Sequence, residues 1–287
     1  MVQTIGNPLS WGAQAAVGTG HALAGATSGM RSDPNVSPRV NTIGLREVGL
    51  ALRLGWRDFL HLRSDVLMLV VIYPIVGLLL AGFAFHAALL PLLFPLVSGF
   101  ALLGPIAAIG LYAMSRHAET DPAPRWGTAF ASLDGHMIGP VLTMGLYLLA
   151  LFTLWVASAL AIYNVTLGPA MPTSVMGFAR DVLTTAEGWT LAWLGIGVGG
   201  IFALIVLVTT LTSLPMLIDR PVGLPVAVAA SLRVARKNPL AVIAWGIVVA
   251  ALLLLGSLPL FLGLIVVLPV LGHGTWHLYR LAIDFDD

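Results

Sequence analysis

Apolar residues recur along this chain in two rhythms. One is continuous. Runs over 66–85, 92–114, 137–162, 193–216, 240–258 and 260–280 are apolar and almost free of charge. Each is near the roughly 20 residues that a helix needs to cross a bilayer core. The other rhythm is periodic. Leu45, Val48, Leu52, Trp56 and Phe59 recur at steps of three and four, while Arg46, Arg53, Arg57 and His61 fall on another face. Trp126, Phe130, Leu133 and Met137 repeat the pattern before the third run. Leu224, Val228, Leu232 and Ala235, set against Arg233, Arg236 and Lys237, repeat it before the fifth. A three-to-four period predicts amphipathic helices, and polar faces carrying Arg suit helices that lie among lipid headgroups.

The final apolar stretch, 240–280, could be one span or two. A single helix of that length would be about 60 Å long, twice the hydrocarbon thickness. Two helices turning at Gly256-Ser-Leu-Pro259 fit, which makes six spans. With six, one side of the membrane collects the tail, the segments around Arg116 and between Arg220 and Lys237, and the C-terminus, hence every Lys and Arg except Arg180. The positive-inside rule makes that side cytoplasmic, with both termini on it. Residues 1–40 are rich in Gly, Ala, Ser, Thr and Pro without apolar periodicity, and read as a disordered tail before a membrane domain at 43–283. No basic region precedes a continuous apolar run there, so no secretory leader is expected, and Met30 offers an alternative start. The one sizeable loop, 164–188, should carry a short surface helix around 176–185.

The unit of amphipathic helix, span, span recurs three times, at about 43–117, 124–220 and 223–281. Units one and three share more than pattern. Pro105, Gly110, Tyr112 and Arg116 align without a gap on Pro269, Gly274, Trp276 and Arg280. An even number of spans per unit makes these repeats parallel.

Composition changes the picture in one respect: it excludes a soluble fold. Hydrophobic residues make up 58% of the chain and charged residues 9%. Soluble domains carry about 25% charged residues. The net charge of +1 and the lack of a basic cluster give no sign of nucleic-acid binding. Cysteine is absent, which removes disulfides and thiolate chemistry. No hydrolase, metalloprotease or phosphate-loop motif occurs. No carboxylate lies inside a span, which disfavours ion-coupled transport. Ser98, Thr209, Thr210, Thr212 and Ser213 are expected to bond back to their own helices or across to neighbours. Gly195, Gly197, Gly199 and Gly200 should allow close helix packing.

The one candidate cofactor site is His273 with His277, one helical turn apart and facing the same way. A metal or haem would use such imidazoles, but a metal site needs further ligands. His117 and His136 fall on the same side and His86 on the other. The preferred reading is an interfacial belt, in which Trp276, Tyr279 and Arg280 anchor at headgroup level with the histidines among them. No cofactor and no metal site is therefore assigned.

Leu103-Gly-Pro105, Ser115-Arg116, Ser213-Leu-Pro-Met216 with Asp219-Arg220, Lys237-Asn-Pro239 and the closing run 267–280 together resemble a bacterial family of predicted integral membrane proteins catalogued as domain of unknown function 2189. The resemblance extends over about 40–283, with the closing run its most specific part. It implies an inner-membrane location and no activity. The haem–copper oxidase label sometimes attached to members does not carry over, because the spread of mid-membrane histidines it requires is missing. The expectation is an all-α, six-span inner-membrane protein in contact with the lipid bilayer. It acts without catalysis as a scaffold, assembly factor or partner of another membrane protein. The alternatives are a transporter or lipid-handling protein for an apolar or amphiphilic substrate, and a haem or metal protein using His273 and His277.

Overall fold

The computed structural model describes residues 38–70, 87–121, 135–168 and 174–285, with 75, 82, 124, 127 and 172 besides. It is mostly helical. Strand β1 (Pro38–Val40) leads into helix α1 (Leu45–Val70). A 3-10 turn, Ala87–Leu92, precedes α2 (Leu93–Leu102), α3 (Gly104–Ala107) and α4 (Ile109–Ala118). Then come α5 (Gly135–Thr166), α6 (Val175–Thr184), α7 (Ala186–Thr210) and α8 (Ser213–Asp219). The chain closes with α9 (Leu224–Lys237), α10 (Pro239–Ser257), α11 (Leu264–Ala282) and β2 (Ile283–Phe285).

Among the described residues three helices are long and apolar enough to cross a membrane: Met137–Thr166, Ala186–Asp219 and Pro239–Ser257. They correspond to the expected third, fourth and fifth spans. The other three differ from the simple expectation. The first lies outside the described residues beyond Val70, up to which α1 runs without a break. The second is divided into α2, α3 and α4, because Pro105 has no N–H to give and its ring crowds the carbonyl one turn back. The sixth, α11, is apolar over its first half and carries His273, His277 and Arg280 in its second. From Pro269 to Tyr279 it is buried in protein at nearly every position, with His273, Trp276 and Tyr279 fully enclosed. The turn before it falls at 258–263, slightly later than Gly256-Ser-Leu-Pro259, with Leu260 and Phe261 in the left-handed region.

Helix α11 is the post against which the rest is built, and α1 lies directly on it. A Cβ on Gly55 would stand 2.5 Å from the backbone N of Gly274 and 2.5 Å from the carbonyl O of Val270. The two backbones therefore touch. Trp245 of α10 closes over the same spot, 2.9 Å from where a Gly274 Cβ would be. Gly272 is covered likewise by Leu111 of α4. This contact turns α1 away from its expected face. Leu45 and Trp56 are exposed, and the buried line is Val48, Ala51, Gly55, Phe59 and Leu62. Helix α9 shows the same shift. Its buried line is Ala227, Ala230, Ser231 and Val234, while Leu224, Val228, Leu232 and Ala235 are only half-buried. In both helices small residues take the centre of the buried line, and on α1 the large Leu45 and Trp56 are left outside. Dispersion between close backbones holds helices together where the surroundings are as apolar as the side chains. The amphipathic stretch at 125–136 lies largely outside the described residues.

A second packing centre is Trp155 of α5. It fills the gap left by Gly99 and Gly199, meets the rings of Phe94 and Phe202, and donates its indole N–H to the carbonyl O of Pro95 at 3.0 Å. Of the four α7 glycines expected to allow close packing, only Gly199 makes a close approach; a Cβ at Gly195, Gly197 or Gly200 would meet nothing within 4 Å. Between α7 and α8 the helix breaks at Leu211 and Thr212, one turn before Pro215. Ser231 repairs the break, donating to the Val208 carbonyl at 2.8 Å and accepting from Thr212 N at 3.4 Å. Ser98, Thr209, Thr210 and Ser213 bond back to carbonyls of their own chain one turn earlier, as expected.

Residues 38–40 do not belong to a disordered tail. β1 pairs antiparallel with β2, Val40 opposite Ile283. The buried Asn238 accepts from Ile43 N at 2.9 Å and donates to the Asn41 carbonyl at 3.0 Å, so the residue before Pro239 pins the chain entering α1. Lys237 adds a bond to the Val40 carbonyl at 2.7 Å. Residues 1–37 lie outside the described residues.

Gly55→Ala is expected to cost about 3 kcal/mol or more, because both neighbours of the new methyl group are backbone atoms that cannot give way. Gly49→Ala, on the exposed face of the same helix with nothing within 4 Å, should instead stabilise by about 0.5–1 kcal/mol through helix propensity. Thermal unfolding in one detergent checks both. Equal melting shifts for the two variants would disprove the close contact.

Candidate functional site

The polar residues of α1, α4 and α11 meet in one buried cluster. Gly55 and Gly274 set its register. Asp58 lies three residues beyond Gly55, and His273 and His277 stand on either side of Gly274. With the two backbones in contact, Asp58 reaches His277 Nε2 at 2.7 Å. Ser115 of α4 is 3.1 Å from the same carboxylate oxygen and 2.7 Å from His273 Nδ1. Asp58 as a carboxylate is an acceptor only, so Ser115 gives it its single proton. The contact with His273 then has Nδ1–H donating to the hydroxyl. That fixes the tautomer and leaves Nε2 of His273 a bare acceptor, buried and with no partner among the described residues.

Around this chain of four lies a shell of charge. Trp276 donates its indole N–H to Glu119 at 2.9 Å, and Tyr279 donates its hydroxyl to Asp219 at 2.7 Å. Arg116 and Arg280 approach opposite oxygens of Asp219, at 3.7 and 3.4 Å, and Arg280 also meets Glu119 at 3.2 Å. Arg220 stacks on the ring of Phe285, its guanidinium carbon 4.8 Å from the ring centre.

Burial by itself would raise the Asp58 carboxyl. The bond from His277, the electrostatic pull of His277 and His273 and the bond from Ser115 outweigh that and hold it below its ordinary value of 3.8. A depressed carboxyl contributes stability that is present above the ordinary pKa and lost as pH falls through the lower, folded one. Asp58 therefore stabilises the clasp fully at neutral pH and releases it only below about pH 4.

The arrangement contains a serine, a histidine and an aspartate, but not in the order that activates a nucleophile. In acyl transfer the histidine takes the serine proton and the carboxylate braces the far ring nitrogen. Here the serine proton belongs to the carboxylate, the histidine donates to the hydroxyl, and Ser115 is almost wholly enclosed. What the chain of bonds does is tie three helices together.

The two histidines singled out in the sequence both hydrogen-bond within this cluster. His273, Trp276 and Tyr279 point into protein, because α11 is surrounded by α1, α4 and α10. Each histidine commits one ring nitrogen to the cluster. Among the described residues no three His, Asp or Glu side chains come together as a metal-binding group. His117 makes none of the cluster's hydrogen bonds, and His86 and the side chain of His136 lie outside the described residues. Sequence reasoning named neither Ser115 nor Asp58 as a site residue. The signal that could have found them was Gly55 and Ala51 interrupting an otherwise bulky helix, opposite Gly272 and Gly274.

Long apolar helices, and a polar cluster used to join helices, define a helical integral membrane protein. Residues 93–219 match the family described as predicted integral membrane protein (DUF2189), which bears out the resemblance over that stretch. No curated protein and no solved structure matches the chain. The matched stretch supplies Ser115, Arg116, Glu119 and Asp219, whereas Asp58, His273, His277 and the closing run lie outside it.

Ser115→Ala leaves the Nδ1–H of His273 without its acceptor and Asp58 short of a donor. It should cost about 1–3 kcal/mol in thermal unfolding. Asp58→Asn should cost a similar amount and abolish the acid-induced loss of stability below pH 4. An unchanged acid limb in Asp58→Asn would mean that another carboxylate sets it.

Proposed function

We propose that this protein is a six-span, non-catalytic scaffold or partner-binding protein of the bacterial inner membrane, with both termini in the cytoplasm. The observation that carries the reading is how its polar groups are spent. Side-chain hydrogen bonds to carboxylates join α1 to α4 and α11, and α8 to α11, while the outward faces of α5, α7 and α10 are apolar.

The three-unit repeat belongs to this proposal. Its support is that Arg116 and Arg280, equivalent in units one and three, flank the two oxygens of one carboxylate, Asp219, at the end of unit two. The six-span topology is supported by where charge collects: Arg39, Arg116, Arg220, Arg280 and Lys237 gather at the end where the strands pair. The proline breaks at Leu103 and at 211–212 favour the second reading, transport or lipid handling, since interrupted helices line substrate paths in transporters. Binding of haem or metal through His273 and His277 ranks below both, as each ring is already held by a neighbour.

Two measurements test the proposal. Reporters fused after Phe285 and inserted near Pro172 should read cytoplasm and periplasm respectively; the same side for both would overturn the topology. A photo-crosslinking residue placed at Trp193, Ile196, Ile201 or Leu204 should give protein adducts of reproducible mass in intact membranes. Lipid adducts alone at all four positions would overturn the scaffold reading.

A further inference from the structure

Helix α6 is a short element between two long ones, and its sequence divides cleanly around the helix axis. Val175, Met176, Phe178, Ala179, Val182 and Leu183 occupy one side; Gly177, Arg180, Asp181 and Thr184 occupy the other. Only part of the apolar side meets protein. Phe178 rests on the ring of Tyr163 near the end of α5, at 6.3 Å between centres, and Val182 is half-buried. Met176 is 79% exposed and Leu183 64%, beside an exposed Val175.

The helix is not free to swing. Ser174 caps its start by accepting from Gly177 N at 3.0 Å. Thr185 ends it and begins α7 at once, donating to the Asp181 carbonyl at 2.7 Å and accepting from Gly188 N at 2.9 Å. A Cβ on Gly188 would collide with the Asp181 carbonyl, so the elbow closes only around glycine. Two exposed tryptophans follow, Trp189 and Trp193, the second 68% exposed. Tryptophan marks the headgroup level of a bilayer. Helix α6 is thus fixed between the ends of α5 and α7, beside two exposed tryptophans, and among the described residues Val175, Met176 and Leu183 stay exposed.

We infer that α6 lies in the lipid interface of the leaflet opposite the polar cluster, with Val175, Met176 and Leu183 in the acyl boundary and Arg180, Asp181 and Thr184 in water. An amphipathic helix in this plane buries apolar surface and keeps its polar face wet. Its rigid junction to α7 makes it a stop that fixes the depth of the α5–α7 hairpin. The inference rests on α5 and α7 being spans.

The chain has no cysteine, so single cysteines can be placed and spin-labelled without background. The full chain, in vesicles of phosphatidylethanolamine and phosphatidylglycerol, would carry labels in turn at Val175, Met176, Arg180, Leu183 and Thr184, with Ile196 of α7 as the span reference. Collision with oxygen should exceed collision with a water-soluble nickel chelate several-fold at Val175, Met176 and Leu183. The ratio should reverse at Arg180 and Thr184. Nickel access at all five positions, with Ile196 still oxygen-rich, would overturn the inference by placing α6 in water. Exclusion of both reagents at Met176 and Leu183 would overturn it by showing a protein cover. Nickel access at Ile196 itself would sink the span assignment instead. As a second variant, Leu183→Glu should raise nickel access at a Val175 label while leaving Ile196 unchanged; no change at Val175 would count against the inference.

Discussion

Two helices whose backbones touch govern the rest of this structure. Gly55 of α1 and Gly274 of α11 leave no room for a side chain between them, and Trp245 seals the contact from the α10 side. In an apolar surrounding, large side chains gain little by leaving lipid for protein. Association then comes from close dispersion contact and from polar groups that would otherwise go unpaired. Glycine supplies the first. It also brings polar side chains near the crossing within reach of each other, which supplies the second.

The polar cluster follows from that register. Asp58, His273 and His277 sit within one turn of the two glycines, so a slip of either helix would separate them. Ser115 completes the chain because Leu111, one turn earlier on α4, packs onto Gly272. The outer shell does the same for the ends of the helices: Asp219 gathers Arg116, Arg280 and Tyr279 from two helices besides its own. A carboxylate with that many donors is compensated for leaving water, and removing one partner of such a group costs more than the pair gives. The same logic governs Asn238, which satisfies the chain at Asn41 and Ile43 where it enters α1. These ties act between segments far apart in sequence, so they join the first and last described elements into one body.

Much of the fold was legible in the sequence. The apolar runs at 137–162, 193–216 and 240–258 appear as long helices, and the surface helix expected at 176–185 appears as α6. What misled was the choice of face. Leu45 and Trp56 on α1, and Leu224 and Leu232 on α9, mark an apolar stripe by any count of hydrophobicity, yet the buried lines run through Ala51 and Gly55, and through Ala227, Ala230 and Ser231. Hydrophobicity predicts which side leaves water; it does not predict which side meets protein when lipid is the alternative. For the same reason the end of α11 looked like an aromatic belt, although its Trp276 and Tyr279 are interior residues bonded to Glu119 and Asp219.

The sequence by itself determined that this chain is a helical membrane protein and where three of its long apolar helices run, because the cost of exposing apolar surface and unpaired backbone depends on local composition alone. It also marked His273 and His277 as neighbours, because helical spacing places them one turn apart. Only the tertiary structure decided what they do. Their partners Asp58 and Ser115 lie more than 150 residues away in the sequence, and nothing local links them. The link is steric: two glycines that let α1 and α11 meet, and in meeting bring the histidines to a carboxylate and a hydroxyl of other helices.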